Sequence, residues 1–113
     1  MSETIKPDFS KAFVGRAKTR DYLLAPKHAK GQSKAKFFLN AGFDGEHWEL
    51  LERALIHHAQ THPVSRMSRG VFGVKYTIDG ELMTPSGKKA KVRTVWMIPD
   101  TTLQLRFVTS YPL

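Results

Sequence analysis

Apolar positions recur at helical spacing through the first half of the chain and alternate through the second. Residues 1–20 mix charges with isolated apolar side chains (Ile5, Phe9, Phe13, Val14) and hold no sustained period, which predicts a flexible arm or lead-in linker with a short helix at most. A single domain then occupies 21–113. Tyr22-Leu23-Leu24 forms a short apolar anchor stopped by Pro26, and Lys27 to Gln32 reads as a loop around Gly31. Ser33 has the chemistry of an N-cap and Gly42 that of a C-terminal stop, so a helix is predicted over 34–41 with Ala35, Phe38 and Leu39 inward. Asp44 is a second N-cap candidate. Glu46 and Glu49 follow where the helix dipole favours carboxylates, and Trp48, Leu51, Leu55 and Ala59 recur at helical spacing until Pro63. The longest helix is therefore expected over 45–61, its apolar face against a sheet.

After Pro63 the period changes to two. Val71 to Ile78 alternates and is rich in β-branched and aromatic residues, Asp79-Gly80 offers a hairpin turn, and 81–84 returns as a short strand. Pro85-Ser86-Gly87 makes another turn before a long strand over 89–98, a break at Pro99-Asp100, and a last strand over 102–110. The fold class is α+β, with N-terminal helices packed on one face of a four-stranded antiparallel meander.

Composition narrows the function. With 113 residues, 41% of them hydrophobic, the chain has the material for one packed domain, and nothing in it approaches the ~20 apolar residues of a membrane span. Its N-terminus lacks the apolar core of a signal peptide. The absence of cysteine removes disulfides, thiolate metal sites and cysteine nucleophiles together. The formal net charge of +8 is unevenly spread: nine basic residues against three acidic over 1–36, one against four over 37–64, and eight against three over 65–113. Two basic regions flanking a mildly acidic one suit a polyanion laid across one face, nucleic acid or another.

Candidate chemistry follows the same regions. His28 lies between Lys27 and Lys30, with Lys34 and Lys36 beyond, and these cations disfavour its protonation, leaving a neutral imidazole fit to accept a proton. Lys75, Lys91, Arg93 and Arg106 come from three strands and are candidates for one phosphate-binding surface on the face away from the helices, Arg93 with a paired contact that lysine cannot make. Tyr76, Trp96, Phe107 and Tyr111 are possible stacking surfaces; Trp96 and Phe107 are expected in the core, and Tyr111, past the last predicted strand, is the better stacking candidate. His58 and His62 share the i, i+4 spacing of a metal pair, but no HExxH pattern accompanies them and no metal site is expected. No Gly-rich phosphate loop, GxSxG elbow or carboxylate cluster is present, which argues against a two-metal nuclease and against a cofactor.

Three segments, YLLAPKHAKGQSKAKFFLNAGF (22–43), FGVKYTIDGELMTPSGKKAKVRTVW (72–96) and RFVTSYPL (106–113), resemble an uncharacterised bacterial toxin-associated domain family. That domain stands alone or forms the C-terminus of polymorphic toxins and phage head proteins. The shared pattern is a Tyr-Leu anchor, His-x-x-Gly-x-x-Lys-Ala before a Phe-containing helix, Gly-x-x-Tyr, Pro-x-Gly, Arg-Thr-x-Trp and a terminal Thr-x-Tyr-Pro. The architecture is similar to the RNase group of barnase, EndoU, the tRNA-cleaving colicins and RelE. The resemblance implies metal-independent cleavage of RNA, with tRNA one candidate, by 2′-OH attack that leaves a 2′,3′-cyclic phosphate. It implies His28 as general base or acid, Lys34 or Arg93 as the transition-state cation, Thr109 as a phosphate donor and Tyr111 as a stacking or positioning residue. Lys27, Lys30, Lys36, Lys75, Lys91 and Arg106 would hold the backbone. The second proton-transfer group is open among Lys34, Tyr111, His57 and His58. An acidic antitoxin or immunity protein is the implied partner, and the bacterial cytoplasm the place of action. The alternative is a non-catalytic nucleic-acid-binding module or a phage or toxin adaptor.

Overall fold

A computed structural model describes residues 6–25 and 32–113. Among the described residues three α-helices precede the sheet: α1 (Gly15–Lys18), α2 (Gln32–Asn40) and α3 (Trp48–Thr61). Four strands follow, β1 (Arg66–Arg69), β2 (Gly73–Leu82), β3 (Ala90–Pro99) and β4 (Arg106–Pro112), in the order β1-β2-β3-β4 with every neighbour antiparallel. The α+β architecture is the one the periodicity implies.

Local chemistry sets the helix ends. α2 closes on Gly42 at φ 103°, where the Gly42 amide donates to Leu39 O (3.1 Å) and the Phe43 amide to Phe38 O (3.2 Å). This paired 5→2 and 6→1 bonding satisfies two orphan carbonyls, and Phe43 packs on Phe38 beneath it. At its other end α2 begins at Gln32, so Ser33 lies in the first turn rather than at the cap. Ala35 and Phe38 are fully buried, but Leu39, 36% exposed, sits a hundred degrees round the helix on its flank. α3 starts three residues later than its pattern suggests, because the Asp44 carboxylate takes the His47 amide (2.9 Å) and closes a separate turn first.

The strands depart further from expectation. Asp79-Gly80 is no turn: both residues lie in β2, Asp79 opposite Arg93 and Gly80 opposite Val92. The His62 ring packs over Gly80 where any Cβ would stand, so this glycine serves close packing, not backbone reversal. The reversal comes at Pro85-Ser86-Gly87, with Gly87 at φ 80°. The first strand is Arg66–Arg69, polar and largely exposed, and β4 begins at Arg106 after a turn that holds Leu103 at φ 57°.

The lead-in segment is a correction as well. From residue 6 it is built into the fold: Phe9 is 1% exposed, 5.2 Å from the Trp96 ring in an edge-on contact, and Val14 is buried beside it. Phe13 bridges to the β4 edge, donating to Leu105 O (3.0 Å) and accepting from the Phe107 amide (2.8 Å). Lys6 caps carbonyls at the end of α3, those of Gln60 (3.1 Å) and His62 (2.6 Å). These anchors are single side chains without a period, which is why the pattern concealed them. The core lies between the helices and the inner face of the sheet, with Leu51, Leu55 and Phe38 against Ile78, Val92, Trp96 and Phe107. Tyr76 belongs there too, at 7% exposure, and is not a stacking surface.

Candidate functional site

Among the described residues no helix covers the outer face of the sheet, and register decides what meets on it. Directly opposed residues share a face, which gives cross-strand rows. One row is Arg66, Thr77, Val95 and Thr109; the next is Ser68, Lys75, Met97 and Arg106; a third is Asp79, Arg93 and Tyr111; and Glu81 faces Lys91. Five cations therefore stand on one surface, lining with Thr77, Thr109 and Tyr111 a shallow polar face. A groove of about 470 Å³ runs between Ser65, Arg66, Lys75, Asp79, Arg93 and Tyr111.

A bulge aims β4. Trp96 pairs with Phe107 while Val95 pairs with Thr109, so Val108 is an extra residue against β3. Strict alternation from Arg106 would turn Thr109 and Tyr111 into the core; the inserted residue returns both to the outer face beside Arg106.

Arg93 is held in place by two partners. Its Nε and Nη2 donate to the Asp79 carboxylate (2.7 and 2.9 Å), a paired contact, and its guanidinium lies 5.9 Å from the Tyr111 ring centroid. The Asp79 hydrogen bonds, then the Tyr111 contact, raise the Arg93 pKa further above its ordinary value, and Arg93 holds the Asp79 carboxyl below its usual range.

At the β4 margin a second cluster crosses from the helical layer. α1 runs into a wider turn, Thr19–Leu23, closed by the Leu24 amide on Thr19 O (2.8 Å), and this turn delivers Tyr22. Lys34 Nζ donates to Tyr22 Oη at 2.7 Å, and Thr109 Oγ1 lies 3.3 Å from the same oxygen. Lys34 and Lys18 also flank the Tyr22 ring, 5.1 and 5.6 Å from its centroid. Burial pushes the phenol up, but the hydrogen bonds from Lys34 and with Thr109, together with the charges of Lys34 and Lys18, outweigh it and hold Tyr22 below the ordinary tyrosine value.

The structure thus brings together Lys34 with Thr109 through Tyr22, and Arg93 with Tyr111, while Lys75, Lys91 and Arg106 share the outer face. Lys36 is exposed on α2 two residues from Lys34, on the far side of the helix. His28, Lys27 and Lys30 lie outside the described residues. Of the other histidines, His58 is buried in the core: its Nε2 meets Gly80 O (3.1 Å) and its Nδ1 meets Thr94 Oγ1 (3.2 Å), itself taking a bond from Trp96 Nε1 (2.9 Å). Both ring nitrogens are spoken for, which removes His58 as a proton-transfer group or metal ligand. His57 is exposed on α3 beside the β2–β3 turn, apart from the outer sheet face. Among the described residues, no group of three or more His, Asp or Glu side chains could hold a metal ion.

Tyr22, Arg66 and Asp79 escaped the sequence reading. Tyr22 was hidden in an apolar anchor, Arg66 in a segment without strand signal, and Asp79 in a dipeptide that mimics a turn.

The family model described as "Domain of unknown function (DUF6883)" matches residues 6–113. The chain belongs to the DUF6883 family. No curated protein matches this DUF6883 chain. Among solved structures, a chain of "Contact-dependent growth inhibition toxin - immunity protein complex from Klebsiella pneumoniae 342" superposes with a TM-score of 0.66 at 16% identity, covering 90% of the DUF6883 chain and 100% of that chain. This is a likeness of fold. No helix among the described residues is long and apolar enough to cross a membrane.

Proposed function

We propose that this DUF6883 domain is a toxin-type endoribonuclease, independent of metal, that cleaves RNA by attack of the ribose 2′-OH on the adjacent phosphate and is held in check by an acidic immunity protein or antitoxin. The observation that carries the reading is the outer sheet face: Arg66, Lys75, Lys91, Arg93 and Arg106 in cross-strand rows, adjoining the Lys34, Tyr22 and Thr109 cluster. A cationic surface of this kind attracts a phosphodiester backbone, and Tyr111 beside Arg93 offers a ring to a base.

The chemistry needs a base for the 2′-OH, an acid for the departing 5′-oxygen and donors for the charge gathering on phosphorus. In this reading His28, in the connection between the turn of Tyr22 and helix α2, takes the 2′-hydroxyl proton. Lys34 and Arg93 supply fixed positive charge, Thr109 donates to a phosphate oxygen, and Lys27, Lys30, Lys36, Lys75, Lys91 and Arg106 hold the flanking backbone. The outer face carries Asp79, bound to Arg93, and Glu81, too few carboxylates for a two-metal centre.

The fold likeness to a chain from a toxin–immunity complex supports a place in such a system, and the charge favours the toxin side of it. A protein of net charge +8 suits the member that engages RNA; its neutraliser would be acidic and cover the same face. Both would act in the cytoplasm of the producing or target bacterium.

The test is incubation of purified protein with total RNA and with a tRNA pool, with and without EDTA, alongside His28→Ala. Cleavage that survives EDTA and falls at least a hundredfold in the variant is expected. RNA left intact at micromolar protein would reject nuclease activity in favour of a binding or adaptor role.

A further inference from the structure

We infer that the end of the sheet formed by the β1–β2 and β3–β4 turns is a membrane-contact tip, whose apolar side chains enter the interface of an anionic bilayer while the cations behind them meet lipid phosphates. This contact is independent of ribonuclease activity.

Both turns hold large apolar side chains where local chemistry asks for something else. Val71 and Phe72 form the two-residue loop between β1 and β2, closed by the Gly70 amide on Gly73 O (2.8 Å), positions that ordinarily take Gly, Asn or Asp. They are 89% and 77% exposed. Leu103, in the β3–β4 turn, is 73% exposed and left-handed at φ 57°, a conformation that Gly or Asn adopts with less strain. The two turns are tied together. The Asp100 amide donates to Phe72 O (2.9 Å), and the Arg69 guanidinium meets the Asp100 carboxylate through two bonds of 3.1 Å. The apolar side chains therefore stand on a braced scaffold. Residues 70–73 and 99–105 include a single charged side chain, Asp100, and Arg69 neutralises it.

Spacing and charge select the occupant. Gly73 pairs with Pro99 at the base of the tip, and Lys75, Met97 and Arg106 form the row two residues further in. At about 3.3 Å per residue, that row stands roughly 7 Å behind the tip. Interfacial amphipathic elements bury their apolar side about 5–10 Å into the boundary between headgroups and acyl chains. With the strands steep to the bilayer, Val71, Phe72 and Leu103 reach that boundary as Lys75 and Arg106 come level with the phosphates, where anionic lipid attracts each cation. A nucleic acid shares the phosphates, but its bases would stack on the Phe72 ring alone and leave Val71 and Leu103 in water.

Wild type and the double variant Phe72→Ser, Leu103→Gly would be titrated with vesicles of phosphatidylcholine alone and of phosphatidylcholine mixed with phosphatidylglycerol, and by anisotropy against a labelled RNA oligonucleotide. Both side chains are exposed, and glycine relieves the left-handed backbone at 103, so the variant is expected to melt close to wild type. Wild type is expected to bind the mixed vesicles well above the neutral ones, and the variant to bind the mixed vesicles about tenfold or more weakly, with its RNA titration unchanged. Phe72→Trp should add a blue shift on the mixed vesicles beyond any change from Trp48 and Trp96 in wild type. Equal vesicle binding by wild type and double variant would reduce the contact to adsorption by cations and overturn the tip, as would absence of wild-type binding to either vesicle. Vesicle binding intact in the variant, together with a lost RNA affinity or a lost dimer in sedimentation, would assign the patch to nucleic acid or to a second copy instead.

Discussion

His58 shows how far one side chain's surroundings can govern the whole domain. Burial, with a smaller contribution from the neighbouring His62, lowers its pKa from 6.5 to about 4 against the pull of its bond to Gly80 O. The folded state therefore keeps His58 neutral where the unfolded chain would protonate it. Between the two values the unfolded state binds more protons, so the stability His58 contributes is fully present above pH 6.5 and is lost as pH falls toward 4. The loss attributable to this one group is on the order of 3 kcal/mol. Denaturant titrations of wild type and His58→Gln across that window would check it. The variant starts less stable but shows a flatter pH dependence, and parallel profiles would exclude His58 as the source. Because Trp96 joins the same chain of hydrogen bonds through Thr94, its fluorescence reports the event directly.

Among the elements, the lead-in segment distinguishes most sharply between pattern and packing. Phe9 sits edge-on to Trp96, so Phe9→Ala is expected to cost about 3–5 kcal/mol, measured by denaturant unfolding. A cost under about 1 kcal/mol would mean that the segment is not part of the cooperative fold. α2 was legible in the chain because Ala35, Phe38 and Gly42 report on the helix they belong to. β1 was not, since Arg-Met-Ser-Arg has no β-branched residue and owes its strand to pairing with β2. Asp79-Gly80 misled because local turn chemistry yields to tertiary demand: Arg93 claims the aspartate and the His62 ring claims the space at the glycine. The site follows the same division. The strand cations could be named from their alternation, but their assembly with Thr109 and Tyr111 depends on register and on the bulge at Val108, neither of which a single strand encodes. Tyr22 was beyond reach for a related reason: its partner Thr109 is 87 residues away along the chain.

On the scale of the molecule, charge and fold divide the labour between two faces. Helices cover one side of the sheet with the apolar core, and the mildly acidic region 37–64 supplies α3, leaving the basic strands to present the other side. If that face carries the backbone of single-stranded RNA, each cation in contact contributes about 0.7 to the slope of log affinity against log salt. Lys75→Ala and Arg106→Ala, both in one cross-strand row, are each expected to make that slope shallower by about this amount in a fluorescence-anisotropy titration. An unchanged slope in both would remove the sheet face from the RNA path. The account as a whole stands on cleavage by the 2′-hydroxyl, and the chemistry of the product ends tests that most directly. Mass spectrometry of RNA fragments produced in EDTA should find 2′,3′-cyclic phosphates and 5′-hydroxyls; 3′-hydroxyls with 5′-phosphates, or no fragments at all, would contradict it.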